Sequence, residues 1–334
     1  MIQTFNVSVI IPVYNAVEFV RKAVESAVLL PEVVEVILVE DSSPDNAIEI
    51  CKQLVNEYPK VTLFQHPDNK NHGAGASRNL GIKNAQCEYI AFLDADDYYL
   101  PNRFETDKKI LLSNDDIDGV YNALGIHYYS EEGKRKFIDA GFKYQEFFTI
   151  SGNVPPDELF YVLFSQHKTI VGEFSTVTIT VRKTIFQKVG YFNTQLRLKQ
   201  DTHLWRRMAA KCRLASGNIK EPVAIRGVHD QNRMVNTEDY KIYDSLWWKD
   251  LNNWMKNEKV NKEYLKCFRL SYLYFQIKSA SFIKTLPAFL LFFIRNRGYI
   301  RKKHGVFDTY FINFCGRNFF SLHFISFKNK CFHH

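Results

Sequence analysis

Short apolar runs alternate with amphipathic stretches through the first hundred residues, and this alternation limits the fold more than any other feature. Val7–Val13, Val33–Val39, Val61–Phe64 and Tyr89–Leu93 are rich in aliphatic and aromatic residues, as strands buried on both faces must be. Between the first two, Phe19, Val20, Ala23, Val24, Ala27 and Val28 recur at helical spacing. Ser43-Pro44 then reads as cap and first turn of a helix carried by Ile48, Ile50, Cys51, Leu54 and Val55, and Gly75–Ala85 reads as a third helix. Strands joined by helices of this length pair in parallel with right-handed crossovers. The expected class is α/β, a mostly parallel, doubly wound sheet with helices on both faces.

In such a sheet, ligands bind at the carboxyl ends of the strands, and polar residues gather there. The first strand ends in Pro12-Val13-Tyr14-Asn15, the second in Glu40-Asp41-Ser42-Ser43, the fourth in Asp94-Ala95-Asp96-Asp97. Three carboxylates in four residues repel one another unless a hard divalent cation lies among them, and Mg2+ or Mn2+ commonly bridges such carboxylates to substrate phosphates. A solvated acidic turn, with Asp97 capping a helix near Pro101, is the plainer alternative. Asp41 is placed to accept from a base N–H and Tyr14 to stack on a ring; a turn-forming Asp41 and a half-buried packing Tyr14 are the structural alternatives.

Asn71–Gly81 is a small-residue loop that enters a helix. Gly73-Ala74-Gly75 lacks the third glycine of a dinucleotide fingerprint and does not follow the first strand, and no GxxxxGK[ST] loop occurs, so nicotinamide enzymes and P-loop NTPases are excluded. Arg78, on the first turns of that helix, suits phosphate oxygens.

Val7–Asn15, Leu38–Asp45, Gly75–Gly81 and Tyr89–Asp97, in this order and spacing, resemble the family 2 glycosyltransferases over about residues 5–235. The resemblance implies the GT-A fold and inverting transfer from a nucleotide-diphosphate sugar, with a UDP-sugar as the default. It implies Pro12, Tyr14 and Asp41 around the base and ribose, and Arg78 near the nucleotide. Asp94 and Asp96 would form the DxD motif, with Asp96 the direct ligand of Mn2+ or Mg2+. Glu40 departs from the family's usual pair of aspartates.

Gln200-Asp201-Thr202-His203-Leu204-Trp205-Arg206-Arg207 resembles the family's acceptor-side segment, with Gln200 in place of the usual glutamate. Asp201 keeps the carboxylate and is the implied catalytic base; its structural alternative is a helix cap. Arg226-Gly227-Val228-His229, after a short strand Pro222–Ile225, resembles a stretch whose histidine approaches the metal or diphosphate, which makes His229 a candidate metal ligand. Trp205 is expected in the core.

The remaining expectations concern organisation and partners. Residues 125–160 read as irregular with a hairpin tip at Gly133, and Ser175–Val181 alternates like a strand. The expected domains are a catalytic domain at 1–237 (a nucleotide-binding half, 1–115, and an acceptor half, 116–237) and a helical, basic region at 238–334. Residues 1–240 carry 27 Lys+Arg against 31 Asp+Glu and residues 241–334 carry 17 against 5, so the net charge of +8 is concentrated in the tail. Leu286–Ile294 is apolar but about half the ~20 residues of a spanning helix, and Arg295, Arg297, Arg301, Lys302 and Lys303 follow it. That pairing suits an anionic membrane surface through 286–303 better than nucleic acid. No secretory signal is evident, and six cysteines without CxxC spacing read as reduced thiols. The expected location is cytoplasmic and peripheral on the inner face of the membrane. The acceptor is expected to be a saccharide or lipid-linked glycan. A sugar-phosphate nucleotidyltransferase, or a non-enzymatic binding protein with a basic tail, is the alternative; the former normally carries a glycine-rich basic loop straight after the first strand, and this chain has none.

Overall fold

The computed structural model describes residues 4–139, 147–230, 232, 237–279, 287, 291 and 294–296. The expected alternation is present as β1 (Val7–Val13), α1 (Val20–Val28), β2 (Val33–Glu40), α2 (Ala47–Glu57), β3 (Val61–Gln65), α3 (Ala74–Asn84) and β4 (Tyr89–Phe92). Beyond it lie β5 (Tyr98–Tyr99), α4 (Glu105–Ser113), β6 (Gly119–Tyr121), β7 (Ala123–Tyr128), α5 (Glu131–Asp139), β8 (Phe147–Phe148) and α6 (Leu159–Leu163). Then come β9 (Ile179–Arg182), α7 (Ile185–Val189), α8 (Gln200–Lys211), β10 (Leu214–Ser216), β11 (Pro222–Val228), α9 (Thr237–Asn257) and α10 (Lys262–Ser279).

The main sheet has the order β10-β6-β9-β4-β1-β2-β3, and only the two pairings made by β9 are antiparallel. Strand β1 is central because it is apolar on both faces. Val7, Val9, Ile11 and Val13 point into a core shared with Val20, Ala23, Val24 and Ala27 of α1 and Ala47, Cys51 and Leu54 of α2. Ile10 points to the other face, where α3 lies so close that a Cβ on Gly81 would stand 2.4 Å from Ile10 Cγ2. Alternate residues of one strand therefore hold helices on opposite sides of the sheet.

A second sheet, β5-β11-β7-β8, explains how the carboxyl ends of the main sheet become a closed site. Strand β5 begins immediately after the acidic quartet, and its Tyr98 pairs with Ile225 of β11. The acids are thus the crossover between the two sheets, and β11 delivers its following residues beside them.

Several local expectations are corrected. Gly133 is not a hairpin tip but lies inside α5, where a Cβ would stand 2.9 Å from the His229 carbonyl carbon; a glycine lets the helix approach that backbone. The alternating run from Ser175 opens as a 3-10 turn at Thr176–Thr178 before β9, because the Ser175 hydroxyl accepts from Val177 N and Thr178 Oγ1 donates to Ser175 O. Ser43 does not cap α2: its hydroxyl accepts from Asn15 N at 2.6 Å, tying the ends of β1 and β2 together. Asp97 caps no helix near Pro101, since α4 begins at Glu105. Trp205 is fully buried, as expected, edge-on to Phe192.

The chain divides into two compact units, residues 1–160 with 172–260, and residues 161–171 with 261–334. The first contains both sheets and α9. In the second, Tyr161 packs edge-on to Tyr264 and Phe164 to Phe268, while Gln166 Nε2 donates to Cys267 O at 2.8 Å and Ser271 Oγ at 2.6 Å. Most of 286–303 lies outside the described residues. No helix among the described residues is long and apolar enough to cross a membrane.

Candidate active site

A cavity of about 710 Å3 opens at the carboxyl ends of β1, β2 and β4. Pro12 and Tyr14 from β1 and its following turn line it, with Asp41 after β2, Arg78 from α3, Asp94 and Asp96 after β4, and His229 after β11. Tyr14 is half exposed, its ring available to the cavity. A smaller cavity, about 230 Å3, is lined by Asp201 together with Ser175, Thr176, Lys199 and Arg226. Arg78, Asp94 and Arg197 line both.

The acidic cluster is resolved by dividing its members among different partners. Asp94 Oδ1 receives Arg78 Nη2 at 2.5 Å, and Arg78, almost fully buried, lies over the Phe192 ring at 5.6 Å. Asp97 does not line the larger cavity; it lines the smaller one and accepts from Gly227 N at 3.0 Å, which fastens the acidic turn to β11. Its burial, with Asp96 and Asp94 adding like charge, holds the Asp97 carboxyl well above the usual carboxylate range. Asp96 is left facing the larger cavity, where it accepts from Asn232 Nδ2 at 3.0 Å and lies 3.5 Å from His229 Nε2. His229 is held flat against Phe19, ring centroids 4.2 Å apart, and its buried Nδ1 has no hydrogen-bond partner among the described residues. Among the described residues no three His, Cys, Asp or Glu side chains converge to hold a metal ion by themselves.

Asp41 is buried, and its carboxylate accepts from Asn71 Nδ2 at 3.0 Å, His72 N at 2.7 Å and Gly73 N at 2.7 Å. It therefore shapes the loop that begins α3 as well as lining the base end of the cavity. Glu40 is also committed, accepting from Ser43 N at 2.5 Å and Gln65 Nε2 at 2.7 Å.

Asp201 is the second residue of α8, and its Oδ1 accepts from Thr202 N at 2.7 Å. Burial pushes its carboxyl above the ordinary range, against the smaller opposing pull of the Thr202 N–H and Arg78. Side chains further along α8 tie it to neighbouring segments. Arg207 donates to Val189 O at 2.6 Å and Tyr191 O at 2.7 Å, and Arg206 pairs with Glu173. Lys199, in the left-handed region at φ 59°, is paired with Asp244 and lies over the Tyr240 ring at 4.2 Å. Asn79 on α3 exchanges two hydrogen bonds with the Phe192 backbone, of 2.8 and 2.9 Å.

Every site residue read from the sequence lines one of these two cavities. Asn71, Arg197, Asn232 and Phe19 were missed as site residues. Asn71 opens the loop read as Asn71–Gly81 and Phe19 the first helical pattern, but neither was read as lining the site.

The Glycosyl transferase family 2 profile matches residues 8–154. An uncharacterized glycosyltransferase of Rickettsia felis is 31% identical over 241 residues, covering 71% of this chain and 35% of that protein. The minor teichoic acid biosynthesis protein GgaB of Bacillus subtilis is 32% identical over 133 residues, 39% of this chain and 14% of that one. The chain thus spans about a third or less of the length of these two relatives. The crystal structure of S. aureus TarS 1-349 in complex with UDP-GlcNAc shares the fold, with a TM-score of 0.58 at 16% identity, covering 94% of this chain and 92% of that one.

Proposed function

From the match of residues 8–154 to the Glycosyl transferase family 2 profile, we propose that the protein moves a sugar, with inversion, from a nucleotide-diphosphate sugar to a saccharide or lipid-linked acceptor in surface glycan synthesis. The observation that carries this reading is the convergence on one cavity of Tyr14, Asp41, Arg78, Asp96 and His229, from five separate chain segments. The nucleotide would lie with its base toward Tyr14 and Asp41 and its diphosphate toward Arg78 and Asp96. The likeness to a fold that holds UDP-GlcNAc supports a UDP-sugar donor, and the likeness to GgaB supports a surface-polymer acceptor.

The reaction is a single displacement. Asp201 takes the proton of the acceptor hydroxyl as its oxygen attacks the anomeric carbon. The bond from that carbon to the diphosphate oxygen breaks with its electron pair on the diphosphate, and the configuration inverts. Asp201 lies in the smaller cavity, across Arg78 and Asp94 from the donor, which is where an acceptor must stand. Asp96 and His229 form a mixed carboxylate and imidazole donor set that fits Mn2+ or Mg2+ when phosphate oxygens and water complete the shell. A bound ion supplies charge that offsets the negative charge gathering on the diphosphate.

The test is thermal stabilisation of the full chain by UDP-, GDP- and CDP-sugars with and without Mn2+, because a ligand stabilises the state it binds. Failure of every nucleotide sugar to raise Tm would sink the reading. The pH profile gives a second check. The base works only when ionised, and burial raises its pKa. The rate should therefore fall on the acid side about tenfold per pH unit below an apparent pKa above the ordinary aspartate value of about 3.9. An acid limb at or below that value would contradict the assignment.

Peripheral membrane contact through 286–303 belongs to the same proposal, supported by the apolar run and the basic residues that follow it. Deleting 286–303 should abolish co-sedimentation with vesicles containing anionic lipid; undiminished binding would refute the contact.

A further inference from the structure

We propose that Arg197 is a donor-binding residue that grips the leaving diphosphate from the acceptor side, and that Asn71 positions it. The inference rests on the function proposed above and adds a residue that neither the motifs nor the comparisons assign.

Arg197 stands in the lead-in to α8 and lines both cavities, so it lies at their junction. Its Nη1 donates to Asn71 Oδ1 at 2.9 Å and its Nη2 to Asn71 O at 3.4 Å. Asn71 is itself fixed, because its Nδ2 donates to the Asp41 carboxylate at 3.0 Å and to Asp41 O at 3.2 Å. A relay thus runs from the base end of the cavity, through one amide, to a guanidinium that lines both cavities.

The backbone around it is built to admit that guanidinium. Gly73 has φ +86°, and a Cβ there would stand 2.6 Å from Arg197 Nη1. A side chain at 73 would therefore displace the arginine even if the backbone accepted it. At Gly75 a Cβ would stand 2.0 Å from Gln200 Oε1, so the start of α3 lies close against the 197–200 segment at two points. The Asn79–Phe192 hydrogen bonds tie α3 to the chain five residues before Arg197.

The charge balance of the cavity calls for such a group. Asp41, Asp94 and Asp96 already line it, and a diphosphate adds further negative charge. Arg78 is paired at 2.5 Å with Asp94, so much of its charge is answered before a ligand arrives. Arg197 brings a second guanidinium to the junction of the two cavities, and that planar group suits phosphate oxygens through parallel N–H bonds.

The experiment is calorimetric titration of the full chain with UDP and with uridine, in Mn2+ buffer, for wild type, Arg197→Ala and Arg197→Gln. The expected result is a Kd for UDP raised at least tenfold in both variants, with the Kd for uridine within twofold of wild type. Asn71→Ala should weaken UDP less than either arginine variant does, and it should also weaken uridine, because Asn71 holds the Asp41 carboxylate. If the UDP affinity of both arginine variants stays within twofold of wild type, the proposal is wrong while the function stands. If uridine weakens as much as UDP, Arg197 only supports the fold and the proposal is equally wrong. A wild-type chain that binds no UDP overturns both the function and this inference.

Discussion

Replacing Asp201 by Asn is expected to lower turnover about 10³-fold or more while donor affinity stays within twofold of wild type. The amide keeps the shape of the carboxyl and the contact with Thr202 N, but it cannot take a proton. A positioned base contributes about 10²–10⁴ to rate, and the other two carboxylates of the smaller cavity have other work: Asp94 pairs with the Arg78 guanidinium and Asp97 fastens the acidic turn to Gly227 of β11. Donor binding should survive because Asp201 does not line the larger cavity. Stability gives an independent sign. A carboxyl whose folded pKa is raised above its unfolded value binds its proton more tightly when folded, so ionising it at neutral pH costs stability, and that cost disappears as pH falls. Asp201→Asn should thus melt at or above the wild-type temperature at pH 7 and lose that advantage in acid. Wild-type turnover in this variant, measured as UDP release in the presence of acceptor, would remove Asp201 from the mechanism.

The sequence and the structure agree best where long apolar runs leave one solution. Strands β1 to β4 are legible because each is a run rich in aliphatic or aromatic residues, and the acids were correctly placed because they follow β4 closely. The second sheet was not legible, because β5 and β8 are two residues each and gain their identity from partners more than a hundred residues away or from short pairing with β7. A glycine among charges reads as a turn, yet Gly133 is helical because the packing of α5 on the His229 backbone outweighs its poor propensity. Distance in sequence also hid the site's second layer. Asn71 meets Arg197 across 126 residues and Asn232 meets Asp96 across 136, and neither pairing has a spacing that a sequence could reveal. The roles of Asp94, Asp96 and Asp97 likewise became distinct only when Arg78 and Gly227 were placed beside two of them.

Asp96→Ala is expected to abolish the effect of Mn2+ on nucleotide binding, with a loss of transfer of about 10³-fold. Asp96 is the one acid of the quartet that faces the larger cavity without a guanidinium or backbone N–H taking its charge; Asn232 and His229 are its neighbours. With no third His, Cys, Asp or Glu nearby among the described residues, an ion held there needs the donor's phosphate oxygens, so metal and nucleotide should each tighten the other in wild type. Removing Asp96 leaves the imidazole as the protein's remaining ligand and breaks that reciprocity. Its effect without metal should have the opposite sign, because one negative charge fewer faces the diphosphate: UDP should bind metal-free Asp96→Ala as well as, or slightly better than, metal-free wild type. His229→Ala should weaken the Mn2+ effect less, since Asp96 and the phosphates keep the hard oxygen ligands that such ions prefer. Asp94→Ala should act differently again, because it frees the Arg78 guanidinium for phosphate and so strengthens metal-free UDP binding. Titrations of UDP with and without Mn2+ across these variants separate the roles. Undiminished Mn2+ enhancement in Asp96→Ala would mean that the ion is held elsewhere, and the division of labour within the acidic turn would have to be redrawn.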